Sequence, residues 1–397
     1  MKKSMGNGFY TLLIAQFLSA IADNALLFAA IALLHQLQAP SWHEPLLREF
    51  FIISYVVLAP FVGPFADALP KGKVMFLSNG IKFFGCVLAL IGVPPLYAYA
   101  IVGIGAAAYS PAKYGILTEM LPTSQLIKAN GWMEGTTVTA IILGPVLGAH
   151  ISADDPYFGI AVITALYLLA ALFNYHIPKM PIDHRVPQRT LGFILKDFWH
   201  AFTTLWKDTQ GQLSLAVTTL FWGAGATLQF VVLKWANIYL GFDQPAATKL
   251  IAVLAVGIAV GSVVASIQVK LEEAAKVLPA GTYMGLLVVG MIFVHDPIFA
   301  AVLLFLIGAL AGYFLVPLNS LLQHRGHQLL GAGHSIAVQN FNENIGILLM
   351  LGAYTWMVGK NFAINHIIVI FGLFIALSMA FISRLYRKHL EQQKSAG

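Results

Sequence analysis

Asp23, Lys82, Glu134, Lys234 and Glu343 are ionisable residues set inside long apolar runs. A charge near a bilayer centre costs several kcal/mol or more, so such residues face a bundle interior or a path rather than lipid. Their neighbours define the chemistry on offer. Asp23-Asn24 is flanked by Ala20, Ala22 and Ala25. Small neighbours leave room for the acid and carboxamide to bind an ammonium group or to hold a cross-helix network. The plainer alternative is a structural acid paired with a buried base. Glu343 stands among Asn340, Asn342 and Asn344, with Gln339 one turn upstream. Gln339, Asn340, Glu343 and Asn344 share one helix face at spacings of three and four. Such a face needs water, substrate or a closed packing network. Gln229 and Lys234 lie on one run. The lysine offers a phosphate contact, or snorkels outward beside Trp235.

A second group reads as gating rather than binding. Gly63-Pro64-Phe65-Ala66-Asp67 leads into Pro70-Lys71-Gly72-Lys73, a cramped helix end, an acid and a basic turn suited to a conformational lock. Lys82 shares a face with Asn79 and is expected to pair with an acid, structurally or during gating. Lys113 follows Tyr109 and Pro111; it receives a departing phosphate or marks the membrane boundary. Glu134 lies one turn beyond Asn130, within reach of a salt bridge to Lys113 or Lys128. Gly135, Gly144-Pro145 and Gly148 give a smooth, kinkable helix face for gate packing.

The elements that position these residues follow from composition. The 397 residues are 58% hydrophobic and 10% charged, with a mean hydropathy of +0.78. Soluble domains carry about 25% charged residues, so this is a polytopic membrane protein. A crossing helix needs roughly 20 residues. That rule predicts twelve spans, near 9–37, 48–69, 74–93, 96–118, 131–153, 157–177, 212–240, 247–269, 275–295, 298–322, 334–357 and 363–384. The first is read as an uncleaved span, because its apolar run continues too far for a signal peptide. Residues 1–177 form one six-helix half, 178–211 a linker, and 212–397 a second half with a tail. Within the linker, Leu191, Ile194, Leu195, Phe198, Phe202 and Leu205 recur at helical spacing. They predict an amphipathic helix over 190–206, anchored by Trp199 and Trp206. Pro178, Pro181 and Pro187 make the earlier linker irregular.

Basic residues set the orientation. With the N-terminus inside, the inner turns hold Lys71, Lys73, Lys128, Lys179, Arg185, Arg189, Lys196, Lys207, Lys270, Lys276 and Arg325. The termini add Lys2, Lys3, Arg384, Arg387, Lys388 and Lys394, whereas the outer turns hold Arg48, Lys249 and Lys360. The asymmetry predicts both termini in the cytoplasm. It also accounts for the net charge of +6 without a nucleic-acid partner. The halves echo each other: GIGAAAYSPAKYGIL at 103–117 against GALAGYFLVPLNSLL at 308–322, and Asn130–Gly135 against Gln339–Asn344. Two repeated halves around a cavity suit a rocking transporter. The single cysteine, Cys86, the absence of a GxxxxGK[ST] loop and the lack of metal-ligand spacing among twelve histidines give no catalytic centre, cofactor or metal site.

Gly63–Lys73 resembles the turn motif between spans two and three of the major facilitator superfamily, with alanine after Asp67 and a reduced basic cluster. Gly135…Gly144-Pro145-Val146-Leu147-Gly148 is similar in part to its antiporter-type fifth-span motif. A longer resemblance, over almost the whole chain, is to the bacterial lysophospholipid transporter family. It rests on AQFLSAIADNALLFA at 15–29, VGIGAAAYSPAKYGIL at 102–117, KANGWMEG at 128–135, LFWGAGATLQF at 220–230, VPLNSLLQ at 316–323 and GAGHSIAVQNFNEN at 331–344.

The resemblance implies a major-facilitator-type twelve-helix bundle acting as a flippase. It would bring lysophosphatidylethanolamine and lysophosphatidylglycerol to the inner leaflet of the bacterial inner membrane. There an acyl-carrier-protein-dependent acyltransferase restores the second chain; some relatives carry that enzyme fused, and this chain is expected to lack it. The polar path implied is Asp23, Asn24, Lys113, position 229 and Glu343. Relatives can carry arginine at position 229, so Gln229 keeps donors and loses charge, which puts headgroup preference in question. The head would pass Asp23, Gln229 and Glu343 while the acyl tail stays among apolar helix faces, where Phe17, Phe28, Phe221 and Phe230 either line a slot or serve as core residues. Two other classes remain open: an ion-coupled carrier of another amphiphile, and a non-transporting scaffold for lipid-remodelling enzymes using the 190–206 surface. A monomer is expected.

Overall fold

A computed structural model describes residues 5–40, 43–181 and 190–395. Lys2, Lys3, Arg185, Pro187 and Arg189 lie outside the described residues. The chain is all α. In order, the helices are α1 (Asn7–Gln36), α2 (His43–Val57), α3 (Ala59–Ala68), α4 (Lys71–Leu90), α5 (Pro95–Met120), α6 (Leu126–Ile151), α7 (Pro156–Tyr175), α8 (Leu191–Lys207), α9 (Thr209–Leu240), α10 (Gln244–Gln268), α11 (Leu278–Gly290), α12 (Pro297–Leu330), α13 (Ala332–Gly359) and α14 (Ile364–Ser395). Among the described residues, eight helical segments are long and apolar enough to cross a membrane. The pair α2–α3, bent by 64°, raises this to nine. Helices α5, α6 and α13 match them in length, but polar residues such as Lys113, Glu134 and Glu343 interrupt them.

Local chemistry fixes many boundaries. Asp155, Asp208 and Asp243 each cap a helix, accepting from the backbone N–H of Tyr157, Gly211 and Ala246 respectively, which satisfies donors with no partner inside the helix. The α2–α3 bend falls where Pro60 enters the first turn of α3. Gly331, at φ +100°, separates α12 from α13; only glycine adopts that backbone without strain.

Contacts group the chain into two compact units. The first comprises Met1–Thr123, Thr139–Thr204 and Gly326–Phe341; the second comprises Ser124–Val138, Leu205–Arg325 and Asn342–Gly397. In the first, α4 packs on α5 and α7, and α1 on α7. Its core is built from Ala22, Leu26, Ala29, Leu33, Cys86, Val102, Ile163 and Tyr167. In the second, α11 packs on α14, and α9 on α14 and α10. These units do not follow the 1–177 and 212–397 division of the sequence. The first turns of α13 are counted with the first unit and the first turns of α6 with the second.

Helix α8 lies within one residue of its expected place. Ala201 and Leu205 are buried, and Phe198 and Phe202 meet Phe341 edge-to-face at 5.5 and 6.2 Å. Much of its apolar face therefore covers protein. Trp199 stays exposed, whereas the Trp206 indole donates to Asn342 Oδ1 at 3.1 Å, a tie to a helix in place of the expected surface anchor.

Candidate transport and gating sites

The first cluster sits midway along α1, α4 and α7. Asp23 Oδ2 accepts from Lys82 Nζ at 2.8 Å, and Asp23 Oδ1 accepts from the Tyr167 hydroxyl at 2.7 Å. Lys82 also donates to Ser19 Oγ at 3.0 Å, and Ser19 donates to Asn79 Oδ1 at 2.8 Å. The ammonium lies over the Tyr109 ring, 4.7 Å from its centroid. A buried cation needs this density of acceptors and π-faces to offset its lost hydration. Gly105 provides the space: a Cβ there would stand 2.7 Å from Lys82 Cγ and from Ser78 O. The Lys82 side chain is 1% exposed and that of Asp23 is 21%. The lysine is sealed while one flank of the acid is reachable, and a carboxylate accepts about four hydrogen bonds, of which two are described. Asn24 donates to its own helix at Ala20 O, 2.8 Å. Gly144 lies against it: a Cβ would approach Asn24 Cβ to 2.5 Å. Pro145 follows inside α6.

The second cluster joins the ends of α3, α4 and α5 to the start of α13, all within the first unit. Asp67 is fully buried and gathers four donors. These are Lys71 Nζ at 2.7 Å, Gly333 N at 2.7 Å, His334 N at 3.0 Å and His334 Nδ1 at 2.6 Å. The two backbone donors are the free N–H groups of a helix start, where the helix dipole also favours an anion. Lys71 bridges on to Glu119 at 3.1 Å and donates to Ala66 O at 2.9 Å. The far nitrogen of His334, Nε2, meets Asp197 Oδ2 of α8 at 2.9 Å. A side chain at Gly63 or Gly333 would block this approach, since a Cβ would come within 3.0 Å of His334 Cα or 2.6 Å of Asp67 Oδ1.

The remaining candidates divide between the units. In the first, Asn340 Nδ2 donates to Ser110 Oγ at 2.9 Å, and Lys113, buried, lies 4.5 Å over the Tyr114 ring. In the second, Glu343 is buried and Asn344 and Gln229 are half-buried. Lys234 lines a cavity of about 300 Å³ with Asn237, Phe242 and Asp243, near the end of α9. Glu134 is buried in the second unit, where Asn130 and Gln323 exchange two hydrogen bonds of 2.8 Å. Arg325 Nε reaches both Asp208 oxygens at 2.8 and 2.9 Å. Lys73 stands apart from the Asp67 cluster, in a different cavity. Sequence reasoning missed Ser19, Tyr167, Glu119, Asp197 and His334. A tyrosine in the apolar run of α7 was the one local signal for Tyr167. Among the described residues, no group of three or more His, Cys, Asp or Glu side chains is placed to hold a metal ion.

A buried charge pair, an aspartate cluster at a helix start and long apolar helices are compatible with a polytopic transporter, and comparison with known proteins shows the family. Residues 12–351 match the family model described as Major Facilitator Superfamily. Among solved structures, human MFSD10, an organic anion transporter, superposes with a TM-score of 0.78 at 14% identity, covering 95% of this chain and 100% of that one. The transporter FucP in its outward conformation gives 0.76 at 14% identity, covering 97% and 99%. A bacterial homologue of ferroportin, outward-facing, gives 0.74 at 14%, covering 96% and 100%. These likenesses show the fold. Proteins named lysophospholipid transporter LplT from Escherichia coli O157:H7 and from Escherichia coli O9:H4 are 42% identical over 383 residues, 96% of this chain and 96% of theirs. The chain belongs to the major facilitator superfamily and, within it, to the family of these LplT transporters.

Proposed function

We propose that the chain is a lysophospholipid transporter of the bacterial inner membrane. It carries lysophosphatidylethanolamine and lysophosphatidylglycerol to the inner leaflet by alternating access, with both termini in the cytoplasm. The observation that carries this reading is the 42% identity over 96% of both chains with proteins named lysophospholipid transporter LplT. The polar residues support it chemically. Asp23 has a reachable flank for an ethanolamine ammonium, with Asn24 beside it. Lys113, Asn340, Glu343, Asn344, Gln229 and Lys234 supply the other polar contacts of the path, lysines for phosphate and amides for glycerol oxygens. Asp67, Lys71, Gly63, Glu134, Gly144, Pro145 and Lys82 act in gating, the Asp67 cluster by holding the start of α13. An acyl-carrier-protein-dependent acyltransferase is the proposed functional partner, consuming the delivered lysolipid, and the transporter works as a monomer.

The test is reconstitution in lipid vesicles, following labelled lysophosphatidylethanolamine from one leaflet to the other without an ion gradient. The expected result is protein-dependent movement that the Asp23→Asn/Glu343→Gln double variant largely abolishes at equal protein abundance. Unchanged movement in that variant would refute the assigned path. No movement by folded wild-type protein, with or without imposed sodium and proton gradients, would refute the substrate.

A further inference from the structure

Lys73 is left over from the gate. On α4, Lys73, Phe76, Leu77 and Gly80 are exposed, at the spacing of one helix face. That face borders a cavity of about 410 Å³ lined by Lys73, Phe76, Leu77, Tyr175, Pro178 and Lys179 among others. Phe76 and Tyr175 pack edge-to-face at 6.1 Å across its wall, with Tyr175 three-quarters exposed. Among the described residues, no aspartate or glutamate lines it, and neither lysine is in an ion pair. Two cations with no acid beside them among the described residues thus line an apolar pocket, where a helix from an apolar span ends and an aromatic residue is exposed. Exposed tyrosine at such a level fits a membrane–water interface.

We infer that this cavity is a binding site for an anionic diacyl phospholipid of the surrounding bilayer, separate from the transport path. Lys73 and Lys179 hold the phosphodiester. Phe76, Leu77, Tyr175 and Pro178 take the glycerol and the first carbons of an acyl chain. Two cations, with no acid among the described lining residues, favour a lipid of net negative charge over a zwitterionic one, whose own ammonium would face them. The apolar wall favours a lipid over free phosphate, which leaves that wall wet.

Native mass spectrometry of the full chain in detergent tests this, with phosphatidylglycerol, phosphatidylcholine or glycerol phosphate added. Wild type should retain phosphatidylglycerol over phosphatidylcholine by roughly tenfold, from two basic residues at a lipid headgroup. Lys73→Gln/Lys179→Gln should erase the preference, whereas Lys249→Gln, at the other end of the molecule's sequence-predicted topology, should keep it. Phe76→Ala should weaken retention of both lipids without changing their ratio. Equal retention of the two lipids by wild type, an unchanged preference in the double lysine variant, or displacement by glycerol phosphate at lipid-like concentrations would overturn the site. The readout is lipid retention, so it stands or falls apart from lysolipid movement.

Discussion

The Asp23 and Asp67 clusters use nearly the same residue types for different ends. Each pairs an aspartate with a buried lysine, at 2.8 Å and 2.7 Å. At Asp23 the described donors are side chains, Lys82 and Tyr167, and the acid keeps an open flank. At Asp67 two of the donors are backbone N–H groups of α13, and no part of the side chain is exposed. A charge held by side chains can change partners through rotamer moves. One held by backbone changes partners only when a helix moves. The first arrangement suits a ligand site and the second a latch.

The sharpest way to break this comparison is Asp67→Asn. It removes the negative charge that faces both Lys71 and the α13 start, leaving Glu119 as the one acid paired with Lys71 among the described residues. Breaking a buried pair costs about 3–5 kcal/mol, so the variant should lose thermal stability in detergent, and hydrogen exchange should accelerate in the first turn of α13. Unchanged exchange there would remove the latch. Lys82→Gln comes next, leaving Asp23 without its cation. A cycle with Asp23→Asn should give a coupling of about 1–3 kcal/mol by thermal unfolding, and a coupling near zero would mean the pair is incidental. Gly105→Ala crowds the Lys82 stem and should cost about 1–3 kcal/mol with the ion pair chemically intact. Trp206→Phe removes one hydrogen bond to Asn342, about 1 kcal/mol, and should alter protection of α8 while sparing both aspartate clusters.

Legibility followed the range of the physics involved. Apolar length is local, so the expected spans agree with helix positions to within a few residues over most of the chain, although Leu69 and Pro70 alone join α3 to α4 and Lys71–Lys73, expected as part of a turn, already form the first turn of α4. The amphipathic period placed α8 almost to the residue. Helix α12 runs on to Leu330, past the expected end near 322, because helical propensity persists where apolar character stops. Partner choice was far less legible. Lys82 reads as needing an acid, yet nothing near it in sequence selects Asp23, 59 residues away. His334 and Asp67 are separated by 267 residues, and a histidine in GAGHSIA carries no local sign of facing two carboxylates. The closeness of Gly105 to Lys82 likewise required the fold.

A bilayer also carries an electric field. Asp23 and Lys82 are opposite charges held 2.8 Å apart, so the pair has no net charge, and a membrane potential does almost no net work when the helices bearing it shift. A lone carboxylate carried across the whole field would exchange about 2.3 kcal/mol per 100 mV with that potential. Pairing therefore makes this buried acid nearly blind to voltage, and Lys82→Gln would give it sight.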